Sequence, residues 1–254
     1  MIVDSHTHLE MPEFDKDRDE VVERARDAGI EFMVTVGTNI AYCREVVSLA
    51  ERYDAVYAAV GIHPHDVKEI GKDTYGEIRA LARRKKVVAY GEIGLDFFRN
   101  RSPRDVQVRR FGEQLELAAE IGLPVIIHDR DAHREILEIL GPWRGKLGGI
   151  FHCFSGDRAM AKKCLDMGFY ISVPGTVTFE KAETLREVVK YTPLEYLLVE
   201  TDAPYLTPRP HRGKRNEPAY VVHTAAKVGE VKELSPEAVG AATTANAKAI
   251  FGIG

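Results

Sequence analysis

The sequence has few of the residues that cross-link a protein or anchor it in a membrane. Its three cysteines, Cys43, Cys153 and Cys164, are odd in number and lack C-x-x-C spacing, which argues against a disulfide framework and predicts free thiols in a reducing compartment. No apolar run approaches the length of a membrane span, and no basic-then-apolar leader opens the chain. We therefore expect a cytoplasmic protein without a membrane partner.

An excess of charge of one sign is also lacking. The chain has 35 Lys and Arg against 39 Asp and Glu, a formal net charge of -4, so any contact with nucleic acid has to be local. Hydrophobic residues make up 44% of the 254 residues, which is enough for a large core. Linkers, repeats and low-complexity segments are missing as well, so we predict one domain over residues 1–254.

Short apolar runs alternate with amphipathic stretches along the whole chain. The eight predicted strands are Ile2–His6, Phe32–Gly37, Ala55–Ile62, Val87–Glu92, Pro124–His128, Gly149–His152, Phe169–Val173 and Tyr196–Glu200. The predicted helices are Arg18–Ala28, Ile40–Arg52, Tyr75–Arg84, Ser102–Ile121, Ala132–Leu140, Arg158–Met167, Lys181–Lys190, Glu217–Val231 and Pro236–Phe251. Strands that recur about every 28 residues are typical of a (β/α)8 barrel. We predict an α/β fold of this TIM type.

The first strand delivers two histidines one residue apart. Because alternate side chains of a strand point to the same face, Asp4, His6 and His8 lie together, and two imidazoles so placed can hold a divalent cation. Taken alone, the pair is also compatible with ordinary polar residues at a strand end.

Polar residues gather where the predicted strands end, which is the edge of a barrel that carries chemistry. Six of the nine histidines lie there, and two acids join them. These residues are His6, His8, His63, His65, His128, His152, Glu92 and Asp202. Four imidazoles and two carboxylates suffice for two divalent metal ions, Mg, Mn or Zn, that share one bridging carboxylate. Judged singly, His128 and His152 could be core histidines, Glu92 an exposed acid and Asp202 a turn residue.

Six ordered motifs resemble the TatD family of metal-dependent deoxyribonucleases, within the amidohydrolase-like barrels. They are Asp4-Ser-His-Thr-His8, Gly61-Ile-His-Pro-His65, Gly91-Glu-Ile-Gly-Leu-Asp96, Pro124-Val-Ile-Ile-His128, His152-Cys-Phe-Ser-Gly156 and Glu200-Thr-Asp-Ala-Pro204, and the similarity extends to Arg215-Asn-Glu-Pro218. The resemblance implies a (β/α)8 barrel and metal-dependent cleavage of DNA, from the 3′ end. It also implies that His6, His8 and Asp202 bind one metal, that His128 and His152 bind the other, and that Glu92 lies between them.

Two such cations would activate a water for attack on phosphorus. We expect Glu92, Asp202 and His63 to be catalytic, with Asp202 accepting the proton of the water. His63 has no metal assigned, so it would contact the scissile phosphate or protonate the leaving group. The alternative is that His63 packs against His65 through the turn at Pro64.

The substrate side of the prediction depends on basic and aromatic residues after the strands. The expected substrate-binding residues are His63, His65, Arg99, Arg215 and Asn216, and the loop after strand 8 adds a dense cluster of Arg209, Arg212 and Lys214. Arginine suits phosphate, although a run of charge is also typical of a solvated face. Phe97 and Phe98 could stack bases or belong to the core.

Three functions remain open from these residues. The first is a metal-dependent nuclease whose partner is DNA, as single strands or 3′ ends. The second is a binuclear hydrolase of a small ester, amide or aminoacyl-tRNA adduct, because an activated water also attacks carbonyl carbon. The third is a barrel that binds metal or a partner without turnover. We expect a monomer or a weak oligomer.

Overall fold

A computed structural model describes all residues from 1 to 254. Eight parallel strands form a single sheet in sequence order. The strands are β1 (Ile2–Thr7), β2 (Ile30–Val36), β3 (Val56–Val60), β4 (Val87–Asp96), β5 (Val125–Arg130), β6 (Gly149–Phe151), β7 (Phe169–Val173) and β8 (Leu197–Val199). The α-helices are α1 (Arg18–Asp27), α2 (Ile40–Arg52), α3 (Thr74–Ala82), α4 (Arg104–Ile121), α5 (His133–Leu140), α6 (Arg158–Asp166), α7 (Glu183–Tyr191), α8 (Val221–Lys232) and α9 (Pro236–Phe251).

The segments of β1 and β8 close the sheet into a nearly complete barrel. The backbone N–H of His8 donates to the carbonyl of Ala203 at 2.8 Å, and the N–H of Asp202 donates to the carbonyl of His6 at 2.9 Å. The Ser5 hydroxyl adds a bond to the carbonyl of Val199 at 3.0 Å. The predicted (β/α)8 fold is confirmed, and its closing seam runs through residues that the sequence assigns to the metal site.

Local sequence explains where several helices begin and end. Asn39 and Asp157 accept backbone N–H groups at the starts of α2 and α6, and Ser235 does the same for α9 just before Pro236. Helix α4 ends at Gly122, whose φ of 79° lies in the left-handed region that favours glycine. These signals are local, which is why the predicted bounds of α2 and α9 match the structure at both ends.

The core of the barrel has an apolar floor below a polar layer. Ile126 and Ile150 belong to one buried cluster with Phe251 of the last helix. Because side chains alternate along a strand, Ile126 and Ile150 share a face with His128 and His152, two residues further on. The other and larger apolar cluster includes buried residues of the helices and of the strands. The imidazoles therefore stand on a packed hydrophobic support.

Strand β4 is four residues longer than predicted. It continues past Glu92 to Asp96, because Gly94, Leu95 and Asp96 pair with His128, Asp129 and Arg130 of β5. This extension needs glycine, since a Cβ on Gly94 would lie 2.0 Å from the carbonyl oxygen of His128, and φ at Gly94 is 144°. The long strand carries a row of polar residues into the mouth of the barrel.

The three cysteines are unpaired, with Cys43 and Cys164 buried. Each helix is too short or too polar to cross a lipid bilayer.

Gly94→Ala is expected to destabilise the protein by about 3 kcal/mol, because the methyl group collides with backbone and the positive φ disfavours a side chain. Urea unfolding would measure the change. Gly112→Ala is the matched control, since its Cβ meets no atom within 4 Å and alanine stabilises a helix by up to about 1 kcal/mol relative to glycine. A Gly94→Ala variant as stable as the parent would contradict the close packing of β4 on β5.

Candidate metal centre at the carboxyl ends of the strands

All six residues predicted as metal ligands converge at one end of the barrel, together with His63. Their ligand atoms form three overlapping groups in which every atom lies within 4.8 Å of the others. The groups are His6, His152 and Asp202; His6, His8 and Glu92; and His63, Glu92 and His128. We refer to the six predicted ligands, His6, His8, Glu92, His128, His152 and Asp202, as the ligand cluster.

One oxygen of Glu92 faces the histidines of β1. Glu92 Oε2 lies 3.5 Å from His6 Nε2 and 3.8 Å from His8 Nε2. Asp202 completes this half of the cluster, with Oδ1 at 3.8 Å from His6 Nε2 and 3.4 Å from His8 Nε2. Two imidazoles and two carboxylates therefore point at a common region.

The other oxygen of Glu92 faces the histidines of β5 and β6. Glu92 Oε1 lies 2.6 Å from His128 Nδ1 and 2.7 Å from His152 Nε2. His63 approaches the same oxygen, with Nε2 at 3.5 Å. Glu92 is thus placed between two sets of nitrogen donors, one for each carboxylate oxygen.

The donor set fits divalent cations. The Nε2 atoms of His6 and His8 lie 3.2 Å apart, and donors bound to one tetrahedral zinc at about 2.0–2.2 Å are separated by roughly 3.3 Å. The side chains are buried, with Glu92 only 3% exposed. Charged groups held so deeply need either ion pairs or metal coordination. Nitrogen and carboxylate oxygen are both ligands that Zn²⁺ and Mn²⁺ accept, while Mg²⁺ prefers oxygen.

Three further acids hold the imidazoles from behind, and we call Glu10, Asp96 and Glu200 the outer carboxylates. Glu10 Oε1 lies 3.0 Å from His8 Nδ1, and Asp96 Oδ2 lies 3.3 Å from His128 Nε2. Acceptors at these positions fix the ring hydrogen on the far nitrogen and leave the near nitrogen free to bind metal. The nitrogen available for metal is therefore Nε2 in His8 and Nδ1 in His128.

Glu200 acts less directly. Its Oε1 lies 3.4 Å from His152 Nδ1, without hydrogen-bond geometry, and accepts the backbone N–H of Cys153 at 2.6 Å. The outer carboxylates are not among the residues that the sequence predicts for the site. Asp96 and Glu200 lie in the quoted motifs and Glu10 lies two residues after His8, so proximity to the predicted ligands was the available signal.

In His63 the ring hydrogen lies on the nitrogen that faces the ligand cluster, whereas in His8 and His128 it lies on the nitrogen that faces away. Its Nδ1 accepts the backbone N–H of His65 at 3.1 Å, so a neutral ring carries its hydrogen on Nε2, the atom that faces Glu92. Burial lowers the pKa of His63 to about 4, which makes the ring neutral at neutral pH. A protonated ring nitrogen cannot bind metal but can donate to an anion. His63 therefore both contacts His65 through the turn at Pro64 and approaches the ligand cluster.

Electrostatics keeps the two acids of the ligand cluster ionised. Burial alone would raise the pKa of Glu92, but the imidazoles of His152, His63 and His128 hold it well below its usual range. Burial likewise acts to raise the pKa of Asp202, and His8 is the main group that brings it below its usual value. Both carboxylates are therefore available as anionic ligands.

The ligand cluster lies in a cavity of about 1000 Å³ lined by loops that follow all eight strands. Four basic side chains line it, and none of them forms an ion pair: Arg99, Arg101, Arg130 and Lys181. His63 and His65 line it too, and the His65 Nε2 lies 2.9 Å from Asp96 Oδ2. Of the expected substrate-binding residues, His63, His65 and Arg99 thus line the cavity.

Two expected substrate-binding residues lie elsewhere and are corrected here. Arg215 does not line the cavity; it binds Asp17 at 2.7 Å and Glu217 at 3.0 Å, because its loop folds back onto the chain just before α1. Asn216 is fully buried and donates to the carbonyls of Thr201 and Tyr205. Both residues fasten the loop that follows β8 instead of facing a substrate.

Two other arginines of the loop after β8 also contact side chains of the protein. Arg209 pairs with Glu180 at 2.7 Å, and the guanidinium carbon of Arg212 lies 4.5 Å from the centroid of the Phe179 ring. Of the two phenylalanines after β4, Phe97 is packed against the core, whereas Phe98 is 56% exposed. Phe98 is therefore the more accessible of the two rings, and the guanidinium carbon of Arg130 lies 4.2 Å from its centroid.

Arg215→Met is expected to lower stability by about 1–2 kcal/mol, because Asp17 and Glu217 lose one of their two cations and keep only Arg24. Thermal or urea unfolding would measure it. Arg99→Met is the matched control, since the side chain of Arg99 forms no ion pair, and it should leave stability unchanged. Equal stability of the two variants would show that the contacts of Arg215 contribute nothing to the fold.

Comparison with known proteins agrees with this geometry. The family model described as TatD related DNase matches residues 3–252. The chain is 43% identical over 254 residues to an uncharacterized metal-dependent hydrolase, YabD, of Bacillus subtilis (strain 168), covering 100% of both chains. It is 44% identical over 256 residues to the 3'-5' ssDNA/RNA exonuclease TatD of Citrobacter koseri, covering 98% of each.

Solved structures give the same result. The TatD homolog YJJV of Escherichia coli K12 superposes with a TM-score of 0.94 at 31% identity, covering 100% of this chain and 98% of that one. A TatD family hydrolase of Entamoeba histolytica, at 22% identity and a TM-score of 0.89 over 98% of this chain and 97% of the other, shares the fold. The chain therefore belongs to the TatD related DNase family of hydrolases.

Proposed function

We propose that this protein is a metal-dependent exonuclease that removes nucleotides from the 3′ end of single-stranded DNA. The observation that carries the proposal is the position of Glu92, whose two oxygens face two separate sets of imidazoles at the base of a cavity with unpaired basic side chains. Relatives about 43% identical that are named 3'-5' ssDNA/RNA exonucleases support the substrate and the polarity. RNA is a second substrate that those names suggest.

We propose that the ligand cluster holds two divalent cations, Mg, Mn or Zn. His6, His8 and Asp202 would bind one, His128 and His152 the other, and Glu92 would lie between them. Bound there, the cations supply an activated water and neutralise charge on the phosphoryl oxygens. The outer carboxylates support this assignment, because they keep the near nitrogens of His8 and His128 free of hydrogen.

The remaining steps belong to side chains of the protein. Asp202 is the most exposed acid of the ligand cluster, at 14%, and so can accept the proton of the attacking water and pass it to solvent. The water oxygen bonds to phosphorus while the bond from phosphorus to the 3′ oxygen of the preceding nucleotide breaks. That oxygen takes a proton from water, and a 5′-mononucleotide leaves. His63, neutral and with hydrogen on Nε2, donates a hydrogen bond to a phosphate oxygen or to the leaving oxygen.

The basic cavity favours this substrate over a small neutral ester or amide, because Arg99, Arg101, Arg130 and Lys181 line it and form no ion pair with a carboxylate. A phosphodiester chain would use them. A cytoplasmic setting is supported by the three unpaired cysteines. A monomeric or weakly oligomeric state stays a prediction, and we add DNA repair as the role that removal of nucleotides from 3′ ends would serve.

The reaction itself can be tested with a 5′-labelled single-stranded oligonucleotide. Protein treated with a chelator should release no mononucleotide, and added Mg²⁺ or Mn²⁺ should restore a ladder that shortens from the 3′ end. If no mononucleotide is released with any metal, and the protein hydrolyses an ester or an aminoacyl-tRNA, the nuclease proposal is wrong and the alternative hydrolase is correct.

Glu92→Gln is expected to lower the bound metal below two ions per chain and to reduce turnover by at least about a hundredfold, because a neutral amide replaces the shared carboxylate. Metal content by mass spectrometry and single-strand cleavage would measure both effects. Glu116→Gln, a change on the exposed surface of α4, is the control and should alter neither. If Glu92→Gln still binds two ions per chain, the proposal that Glu92 lies between the metals is wrong.

His63→Ala is expected to keep the full metal content and to lose about a hundredfold in turnover, because His63 acts on phosphate and not on metal. Metal analysis and kcat would be compared with His223→Ala, a histidine on α8 outside the cavity. A loss of metal in His63→Ala would instead make His63 a ligand, and full activity would make it structural.

A further inference from the structure

Basic side chains are distributed unevenly around the mouth of the cavity. The four that line it lie after β4, at the end of β5 and after β7: Arg99, Arg101, Arg130 and Lys181. The loops after β8, β1 and β2 contribute residues such as Tyr205, Met11 and Tyr42, and no lysine or arginine lines the cavity there. One side of the mouth is therefore suited to phosphates and the other is not.

Two exposed aromatic rings lie on these two sides. Phe98 follows β4 and is 56% exposed, and the guanidinium carbon of Arg130 lies 4.2 Å from its ring centroid. Tyr205 follows β8 and is 47% exposed, with its ring centroid 6.5 Å from that of His8. In a barrel of eight strands in sequence order, the ends of β4 and β8 are half a turn apart, so the ligand cluster lies between the two rings.

The surroundings of Tyr205 are mainly acidic. The charged groups near its hydroxyl are the carboxylates of Glu13, Asp202 and Glu10 and the imidazole of His8, and its backbone N–H donates to the carbonyl of Asp202 at 2.9 Å. Glu13 is exposed and forms no ion pair. A phosphate that continued beyond Tyr205 would meet Glu13, and the guanidinium at the Glu13 carbonyl, that of Arg215, is already paired with Asp17 and Glu217.

We propose that these two sides set the direction in which a single strand lies and limit cleavage to its end. The inference rests on the proposed function. The body of the strand crosses the basic side, with phosphates on Arg99, Arg101 and Arg130 and a base on Phe98. The terminal nucleoside stacks on Tyr205, where no further phosphate has to be held. The scissile phosphate then lies over the ligand cluster.

The physical basis is the difference between an end and an interior position of the strand. Base stacking on an aromatic ring contributes about 1–3 kcal/mol per base, whereas phosphates need cations to offset their charge. A terminal nucleoside with a free 3′ hydroxyl needs only the ring. A cavity of about 1000 Å³ lies at the upper end of the range for small-molecule sites, which leaves room for the nucleotides on both sides of the scissile bond.

The first experiment compares a single-stranded decamer with a dinucleotide that has one phosphodiester bond. Phe98→Ala should raise KM for the decamer about tenfold and leave KM for the dinucleotide unchanged, because only the longer strand reaches Phe98. Tyr205→Ala should raise KM for both substrates, and Tyr205→Phe should recover most of that loss, since stacking needs the ring. Val108→Ala, an exposed change on α4 outside the cavity, is the control. Equal effects of Phe98→Ala on both substrates would overturn the proposal.

The second experiment measures binding without turnover. Chelator-treated protein is titrated with a 5′-fluorescent decamer that ends in a 3′ hydroxyl or a 3′ phosphate, and anisotropy gives Kd. The 3′ phosphate should weaken binding severalfold, and Glu13→Gln should reduce that difference. A 3′ phosphate that binds equally well or better would refute the placement of the strand end at Tyr205.

These outcomes are separable from failure of the proposed function. If the strand binds with the predicted preference for a 3′ hydroxyl but is never cleaved, the placement stands and the nuclease proposal fails. If a linear strand is shortened from its 3′ end but a 3′ phosphate binds as well as a 3′ hydroxyl, the exonuclease proposal stands and the placement is wrong.

Discussion

An ionised carboxylate buried among imidazoles is the interaction on which the rest of this structure depends. Glu92 is 3% exposed, and both of its oxygens face ring nitrogens. A buried charge without partners would cost several kcal/mol, so the barrel must bring those nitrogens together from separate strands. The histidines that surround Glu92 come from β1, β5, the end of β6 and the loop after β3, and no single segment of chain could provide them.

Closure of the barrel therefore matters for chemistry as well as for stability. The backbone bonds between the β1 and β8 segments involve His6, His8 and Asp202 themselves, so the seam and one half of the ligand cluster form together. Asp4 strengthens the same junction by accepting the N–H of Thr201 at 2.9 Å. A chain that failed to close would lose Asp202 from the ligands of β1 and would leave Glu92 with partners on one side only.

Much of this was predictable from the sequence, for a physical reason. Parallel strands of a barrel deliver their carboxyl ends to one mouth, so the polar residues at six of the eight predicted strand ends had to meet there. The outer carboxylates were not predictable in the same way. Which nitrogen of His128 is held by Asp96 depends on how far β4 runs along β5, and that extension depends on Gly94 fitting against a backbone carbonyl, a contact between segments more than 30 residues apart.

The basic loop after β8 shows where sequence reasoning about charge fails. Arg215 stands in a dense run of positive residues, yet its charge is offset by Asp17, which is 198 positions away in the sequence. Arg99 and Arg130 stand in less conspicuous places, and no acid pairs with them. What makes a cation available to a phosphate is the absence of a carboxylate within reach, and that is a property of the folded surface. Local density of Lys and Arg in the chain is therefore a poor guide to which cations stay unpaired. Residue type at a strand end is a good guide to which polar side chains meet, because geometry at the strand end is set by the backbone.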